Sequence, residues 1–286
     1  MTPHEQRARA RALRVGDHTC WSYSSATEHR NVLTAYLASG LAQGEKVVAF
    51  DRRGAAGRVA AYLSSAGYDV PALVASGTLV LGVAEDEYAP DGVFDADARI
   101  AGFADVAAHA LDDGFTGLRA YADTTAMLAH VDATRRWPAY ELRCDLLTTR
   151  LPIAGLCGYD ATRSSPIALD LVRSVHRVCL GSRGTSRFAV HGGGDGSLEL
   201  AGEVDAFTAD QLESLLVGAV DDATVPVLDV THLDFADVAA MRAIAAALRR
   251  MTTRRVGVQL RGPSPTFRKV WNSLRLHVAG VELVPA

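Results

Sequence analysis

The sequence predicts an α/β protein of two domains, and three observations carry that expectation. Helix-period apolar stretches alternate with short β-rich runs along most of the chain, the pattern of a parallel sheet covered by helices. A small polar run, Gly181-Ser182-Arg183-Gly184-Thr185-Ser186, interrupts this alternation before a new strand-like start at Phe188-Ala189-Val190. The length, 286 residues, suits two domains of ordinary size.

In chain order, the apolar spacing of 28–41 predicts a helix, Val47-Val48-Ala49-Phe50 a strand and 55–66 a second helix. Strands follow at 78–83, 118–122 and 153–159, with helices at 97–112, 124–132 and 138–147. The linker is placed at 181–187, between domains at 8–180 and 188–286. Beyond it, 188–190, 197–201, 225–230 and 256–260 read as strands, and 208–220, 238–250 and 264–275 as helices. Gly192-Gly193-Gly194-Asp195-Gly196, between two strands, reads as a hairpin turn.

Composition excludes several classes of function. Hydrophobic residues make up 49% and charged residues 22%, with a net charge of −4, the balance of a globular protein rather than a disordered or fibrous one. No apolar window reaches the roughly 18 residues of a membrane helix, and the first residues lack a signal peptide's apolar stretch, so a cytoplasmic protein with no membrane partner is expected. Lys occurs only at Lys46 and Lys269, too few for a general nucleic-acid binder. An Ala- and Arg-rich, Lys-poor chain also fits a GC-rich bacterial genome. Cys20, Cys144, Cys157 and Cys179 form no CxxC pair, so neither a zinc ribbon nor a disulfide framework is expected, and no cofactor or metal is called for.

In the C-terminal half, Leu200-Ala201-Gly202-Glu203-Val204-Asp205 ends one strand and Leu228-Asp229-Val230-Thr231-His232-Leu233-Asp234-Phe235-Ala236-Asp237 leads into a helix. This order resembles the STAS domain of anti-sigma-factor antagonists. That resemblance implies docking of a kinase-type anti-sigma factor through a surface containing Asp229, Asp237, Val238, Ala239, Ala240 and Met241. The family carries an Asp-Ser-Ser-Gly-like motif whose first Ser is phosphorylated. Here Asp237-Val238-Ala239-Ala240 aligns with it, so Asp237 can cap the helix, but Val238 offers no hydroxyl. Thr231 and Ser264 remain as other hydroxyls without distinguishing spacing.

The N-terminal half carries Gly16-Asp17-His18-Thr19-Cys20-Trp21-Ser22-Tyr23, Gly40-Leu41-Ala42-Gln43-Gly44-Glu45, Gly117-Leu118-Arg119, Tyr140-Glu141 and Leu156-Cys157-Gly158-Tyr159-Asp160. These motifs resemble the MEDS family of sensory domains, which implies a RecA/KaiC-like parallel-sheet fold without a P-loop. Gly44-Glu45-Lys46 has the wrong spacing and order for a P-loop. The turn Asp51-Arg52-Arg53-Gly54 reads either as an anion site or as a solvated turn. His18 and Cys20 are open to three readings: metal ligands with Cys157, His176 or Cys179, a thiol dyad, or part of a pocket or polar core. A ligand pocket of His18, Cys20, Tyr23, Arg119, Glu141 and Tyr159 is the expectation, with an Arg119–Glu141 ion pair as the structural alternative.

Together the halves read as a non-enzymatic signalling regulator, a ligand sensor coupled to a STAS domain that binds a kinase-type anti-sigma factor. The rival readings are a STAS scaffold subunit of a larger complex, a degenerate nucleotide-binding protein, and a Cys20-dependent catalyst.

Overall fold

The structure is a computed structural model that describes residues 2–55, 57–132, 135–181, 186–220, 225–254 and 257–286. Of the expected linker, residues 182–185 lie outside the described residues. The first elements are α1 (Pro3–Ala12), β1 (His18–Tyr23), α2 (Ala26–Ala42), β2 (Lys46–Asp51), α3 (Arg58–Ser65), α4 (Val70–Ala75), β3 (Leu79–Val83), α5 (Ala84–Tyr88) and α6 (Ala96–Asp112). There follow β4 (Leu118–Asp123), α7 (Thr125–His130), α8 (Arg136–Thr148), β5 (Ile153–Asp160), α9 (Pro166–Arg173) and β6 (Val178–Leu180). The last are β7 (Phe188–Gly192), β8 (Leu198–Val204), α10 (Ala209–Val220), β9 (Val227–Ala236), α11 (Val238–Arg254), β10 (Val258–Arg261), α12 (Pro265–Ser273) and β11 (Val281–Val284). Among the described residues no helix is long and apolar enough to cross a membrane.

The chain divides into two compact units. Unit 1 comprises Met1–Val131, Arg150–Leu169 and Arg177–Gly184; unit 2 comprises Asp132–Thr149, Asp170–His176 and Thr185–Ala286.

Unit 1 is built on a six-stranded, all-parallel sheet in the order β3-β2-β4-β5-β1-β6. Strands β1, β2 and β4 are buried on both faces; β2 reads as an apolar run, whereas β1, with His18, Thr19 and Ser22 among its six residues, is not among the strands expected from sequence. Side chains alternate across the sheet, so register fixes faces. Trp21, Tyr23, Val47, Ala49, Tyr121 and Leu156 share one face and pack with Val32, Leu33, Tyr36 and Leu37 of α2. Helix α2 starts where the Ser25 hydroxyl accepts the Glu28 amide (3.2 Å). It stops before Gly44, whose φ of +73° suits glycine. Helix α1 escapes the hydropathy pattern because it is polar and buries only Gln6 and Ala10; a Thr2–Glu5 capping box with Pro3 in the first turn starts it.

Unit 2 has a five-stranded sheet in the order β11-β10-β9-β8-β7, parallel except for the β7–β8 hairpin. The expected turn closes that hairpin, with Gly193 N–H donating to Ser197 O (2.8 Å). The core of this unit draws on more than the last hundred residues. Leu142 and Leu146 of α8, Leu171 and Val175 join Phe188, Val190, Leu212, Leu216 and Leu228 in one cluster. The Asp145 carboxylate accepts the Gly192 amide (2.5 Å), which ties α8 to β7. A Cβ on Gly218 would lie 2.6 Å from that of Ala139, so α8 and α10 meet at a contact only glycine permits.

Candidate functional site

The polar ends of four strands gather at the carboxyl edge of the unit 1 sheet, where open α/β sheets bind ligands. Strands β2, β4 and β5 each end on an aspartate, Asp51, Asp123 and Asp160, and β1 ends on Tyr23. Register puts all four on the face shared with Trp21 and Tyr121. Their charges and hydroxyls are satisfied by one network.

Arg58 donates from Nε to Asp51 Oδ2 (2.9 Å), binds Asp51 Oδ1 through Nη2, and reaches Asp123 Oδ2 with Nη2 (3.2 Å). Asp123 also accepts from Tyr23 Oη (2.7 Å) and Thr125 Oγ1 (2.6 Å). Thr125 Oγ1 in turn accepts the Asp160 amide (2.9 Å), and Thr162 donates its hydroxyl to Asp160 Oδ1 (2.6 Å). Arg52 stands 3.5 Å from Asp160 Oδ2 and 3.8 Å from Asp123 Oδ2.

Burial governs the protonation of this network. It pushes the Tyr23 phenol up, with the Asp123 carboxylate adding to the shift, and it pushes the Asp51 carboxyl up against the opposing pull of Arg58. Burial works against the Arg58 charge, yet its hydrogen bonds to Asp51 raise the guanidinium pKa overall. His29 is pushed down to about 3, first by burial and then by Arg58 and Arg52, so it is neutral. Its Nε2 meets Tyr121 Oη at 2.8 Å and its ring packs edge-on to Tyr23. His29, Asp51 and Asp123 bring possible metal-ligand atoms within 4.8 Å of one another. Arg58 already spans the two carboxylates, however, and Arg52 stands 3.8 Å from Asp123, so two guanidinium groups supply the positive charge there.

Outside this network opens a cleft of about 640 Å³, lined by Arg52, Arg53, Gly54, Glu85, Thr125, Ala126, Ala129, His130 and Arg163. The chain signals it by ending three strand-like runs on Asp and by following one of them with Arg52-Arg53-Gly54.

Within unit 1, the residues expected to form a pocket divide between the two faces of the sheet. His18, Cys20 and Tyr159 share one face of the sheet, while Tyr23 and Arg119 lie on the other, so the sheet stands between the two groups. His18 Nε2 lies 3.4 Å from Cys157 Sγ, and Cys20 is in register with Cys157 and Cys179. Tyr23 alone of the six reaches the carboxyl-edge network. Arg119, fully buried near the start of β4, donates to Glu45 (Nε–Oε2 2.5 Å, Nη2–Oε1 3.2 Å) and stacks over the Tyr36 ring. The Arg119–Glu141 pairing allowed by sequence is therefore replaced by Arg119–Glu45. Glu141 belongs to unit 2, where its carboxylate is 3.5 Å from His176 Nε2.

In unit 2, Asp237 caps α11: its Oδ1 accepts the Ala240 amide (2.9 Å), while its own amide donates to Val204 O (3.2 Å). Val238 is exposed (41%), Ala239 half-buried, and Ala240 and Met241 are buried in the core. Asp229 lies within 3.4 Å of Arg261, which also donates to Asp195 (2.8 Å). The Ser264 hydroxyl caps α12 by accepting the Phe267 amide (3.1 Å). Sequence reasoning missed two large neighbours of this edge. Phe235 (52% exposed) is opposite Glu203 across the β8–β9 ladder, and Phe207 (92% exposed) follows β8 by three residues.

The structure thus holds a parallel-sheet unit with a polar cleft and a smaller mixed-sheet unit with exposed Phe235 and Val238 at a helix start. Comparison with known families agrees. Residues 17–177 match the MEDS family, described as the methanogen/methylotroph, DcmR sensory domain, and residues 189–285 match a STAS family described as Mlab, STAS domain. The chain belongs to the MEDS family and carries a STAS domain after its sensory domain, the make-up of a signalling regulator. Among the curated proteins none matches. Crystal structures of the DUF1998 helicase MrfA, bound to DNA and AMPPNP or to DNA alone, cover 99% of this chain at 10% and 9% identity with TM-scores of 0.38 and 0.35. The chain spans 41% of those helicase chains, and likeness at such scores carries no functional weight.

Proposed function

We propose that this protein is a cytoplasmic, non-enzymatic regulator whose sensory unit controls how its STAS unit docks a kinase-type anti-sigma factor. The observation that carries the docking half is the exposure of Phe235 and Val238 on either side of the Asp237 cap, with Phe207 exposed after β8. Exposed aromatic groups of this kind are what a protein partner buries. By the resemblance of Asp237-Val238-Ala239-Ala240 to the antagonists' motif, Val238 takes the position of their phosphorylated Ser, and with no hydroxyl there docking would escape the usual phosphate switch.

Chain connectivity supports control from the sensory unit. Helix α7 lines the cleft through Thr125, Ala126, Ala129 and His130, and the next helix, α8, contributes Leu142 and Leu146 to the core of unit 2. A ligand regulates only if it binds two states with different affinity, and α8 is the element through which such a difference reaches the STAS unit. The test is a pull-down and calorimetric titration of the full chain against kinase-type anti-sigma factors, with Phe235→Ser as the variant. Binding lost at least tenfold in Phe235→Ser supports the reading. Equal binding, or recovery only within a defined multi-subunit particle, favours a scaffold.

A further inference from the structure

We infer that the cleft beside the carboxyl ends of β2, β4 and β5 binds a small phosphate ester, held by Arg52, Arg163 and His130. The cleft lies wholly within unit 1, and its volume of about 640 Å³ is that of a small-molecule site. Its cations differ in how far the protein already uses them. The Arg53 guanidinium is taken up by Asp86, and the Arg53 amide donates to Glu85 (2.7 Å), the one acid in the lining.

Arg52 is different. At 3.5 Å from Asp160 and 3.8 Å from Asp123 it has the charge of an ion pair without a hydrogen bond, so its guanidinium donors have no acceptor among the described residues. Arg163 is anchored by its backbone amide to Asp160 O (3.0 Å), while its exposed side chain meets no acid among the described residues. His130, at the end of α7, likewise has no side-chain partner among them.

The hydrogen bonds of the acids beneath are made by other groups, with Arg52 adding charge at ion-pair distance. Asp51 is held by Arg58, Asp123 by Tyr23, Thr125 and Arg58, and Asp160 by Thr162. The Arg163 guanidinium and the His130 imidazole, with the hydrogen-bond donors that Arg52 keeps beyond its two ion pairs, match an anion with several acceptor oxygens. A phosphate monoester carries about −1.5 to −2 charges and three such oxygens. A monocarboxylate would engage one fork and leave the other idle. Gly54, Ala126 and Ala129 leave space along the wall for the organic part of the ester.

This assignment deepens the sensory reading and rests on it for its meaning, while the binding itself is tested apart from any partner. The full chain is titrated calorimetrically with inorganic phosphate, with acetate at matched ionic strength, and with a short single-stranded oligonucleotide. Saturable phosphate binding, at least tenfold tighter than acetate, is expected. Arg163→Gln should weaken it fivefold or more at unchanged circular dichroism and denaturation midpoint, while Arg249→Gln, an exposed arginine of unit 2, leaves it unchanged. Absence of saturable phosphate binding, equal loss in both variants, or an Arg163-dependent preference for the oligonucleotide would overturn the proposal. Phosphate binding without partner docking would remove the regulator and leave the site; the converse would remove the ligand alone.

Discussion

Arg119 and Glu45 illustrate how much a single buried charge depends on its partner. Both are almost fully enclosed, and the pair is completed by Leu13 O at 3.1 Å from Arg119 Nη2. Removing one member of such a pair leaves the other unpaired in a low-dielectric site, so Glu45→Gln should lower unfolding free energy by about 3 kcal/mol in urea titrations. Gly40, within α2, tests the same packing: a Cβ there would lie 2.3 Å from Arg119 Cδ. Gly40→Ala should therefore destabilise the protein although alanine favours a helix by about 1 kcal/mol.

His29 makes the acid side of the stability curve. Its folded pKa of about 3 lies below the usual 6.5, so below pH 6.5 the unfolded chain binds a proton that the native state refuses. Stability is thus lost as pH falls from 6.5 toward 3, by at most about 1.4 kcal/mol per pH unit. The raised Asp51 pKa has the opposite sign and favours the native state as pH falls, so the comparison is made between pH 5 and 6.5, where the His29 contribution is already changing. Denaturant midpoints of His29→Phe across that window should be flatter with pH than those of the wild type; parallel curves would show that His29 does not set the slope.

At this scale the sequence was least legible. It marked Arg119 as important but not its partner, 74 positions away, because hydropathy carries no pairing information. It placed His18, Cys20, Tyr23 and Arg119 in one pocket because each sits on a strand. The two-residue alternation of those strands separates them, and only the register between strands reveals it.

Among elements, the apolar central strands and the long amphipathic helices were readable, because burial on one or both faces leaves a pattern. Other elements were not assigned: the polar α1, the mixed β1, and the short α4, α5, α9, β6 and β11. Helix α8 was readable as a helix but not as part of the second core. Its burial of Leu142 and Leu146 beside α10 is a long-range fact. Leu142→Ala should cost about 2–5 kcal/mol, read from unfolding of the full chain. A fragment starting at residue 187 lacks Leu142, Leu146, Leu171 and Val175 and should unfold with reduced cooperativity, whereas a sharp transition at the full-chain midpoint would show α8 to be dispensable.

For the whole molecule, the proposed division of labour rests on two places: the polar carboxyl edge of unit 1 with its exposed Arg163 and His130, and the exposed Phe235 and Val238 at the start of α11 in unit 2. The two-domain α/β class was legible from the alternation of elements and the family motifs. The Phe207 and Phe235 edge was not, since exposed aromatics look like core residues until a structure leaves them uncovered. Regulation by the sensory unit requires that ligand and partner binding be reciprocally coupled, so a ligand that strengthens docking must itself bind more tightly in the complex.

The most direct measurement is calorimetric binding of the full chain to a kinase-type anti-sigma factor in the presence of ATP, with phosphate incorporation followed in the same sample. Tight one-to-one binding, no phosphate on the protein and loss of binding in Phe235→Ser are the predicted result. No binding to any such factor, or binding abolished by phosphorylation of the STAS unit, would contradict it.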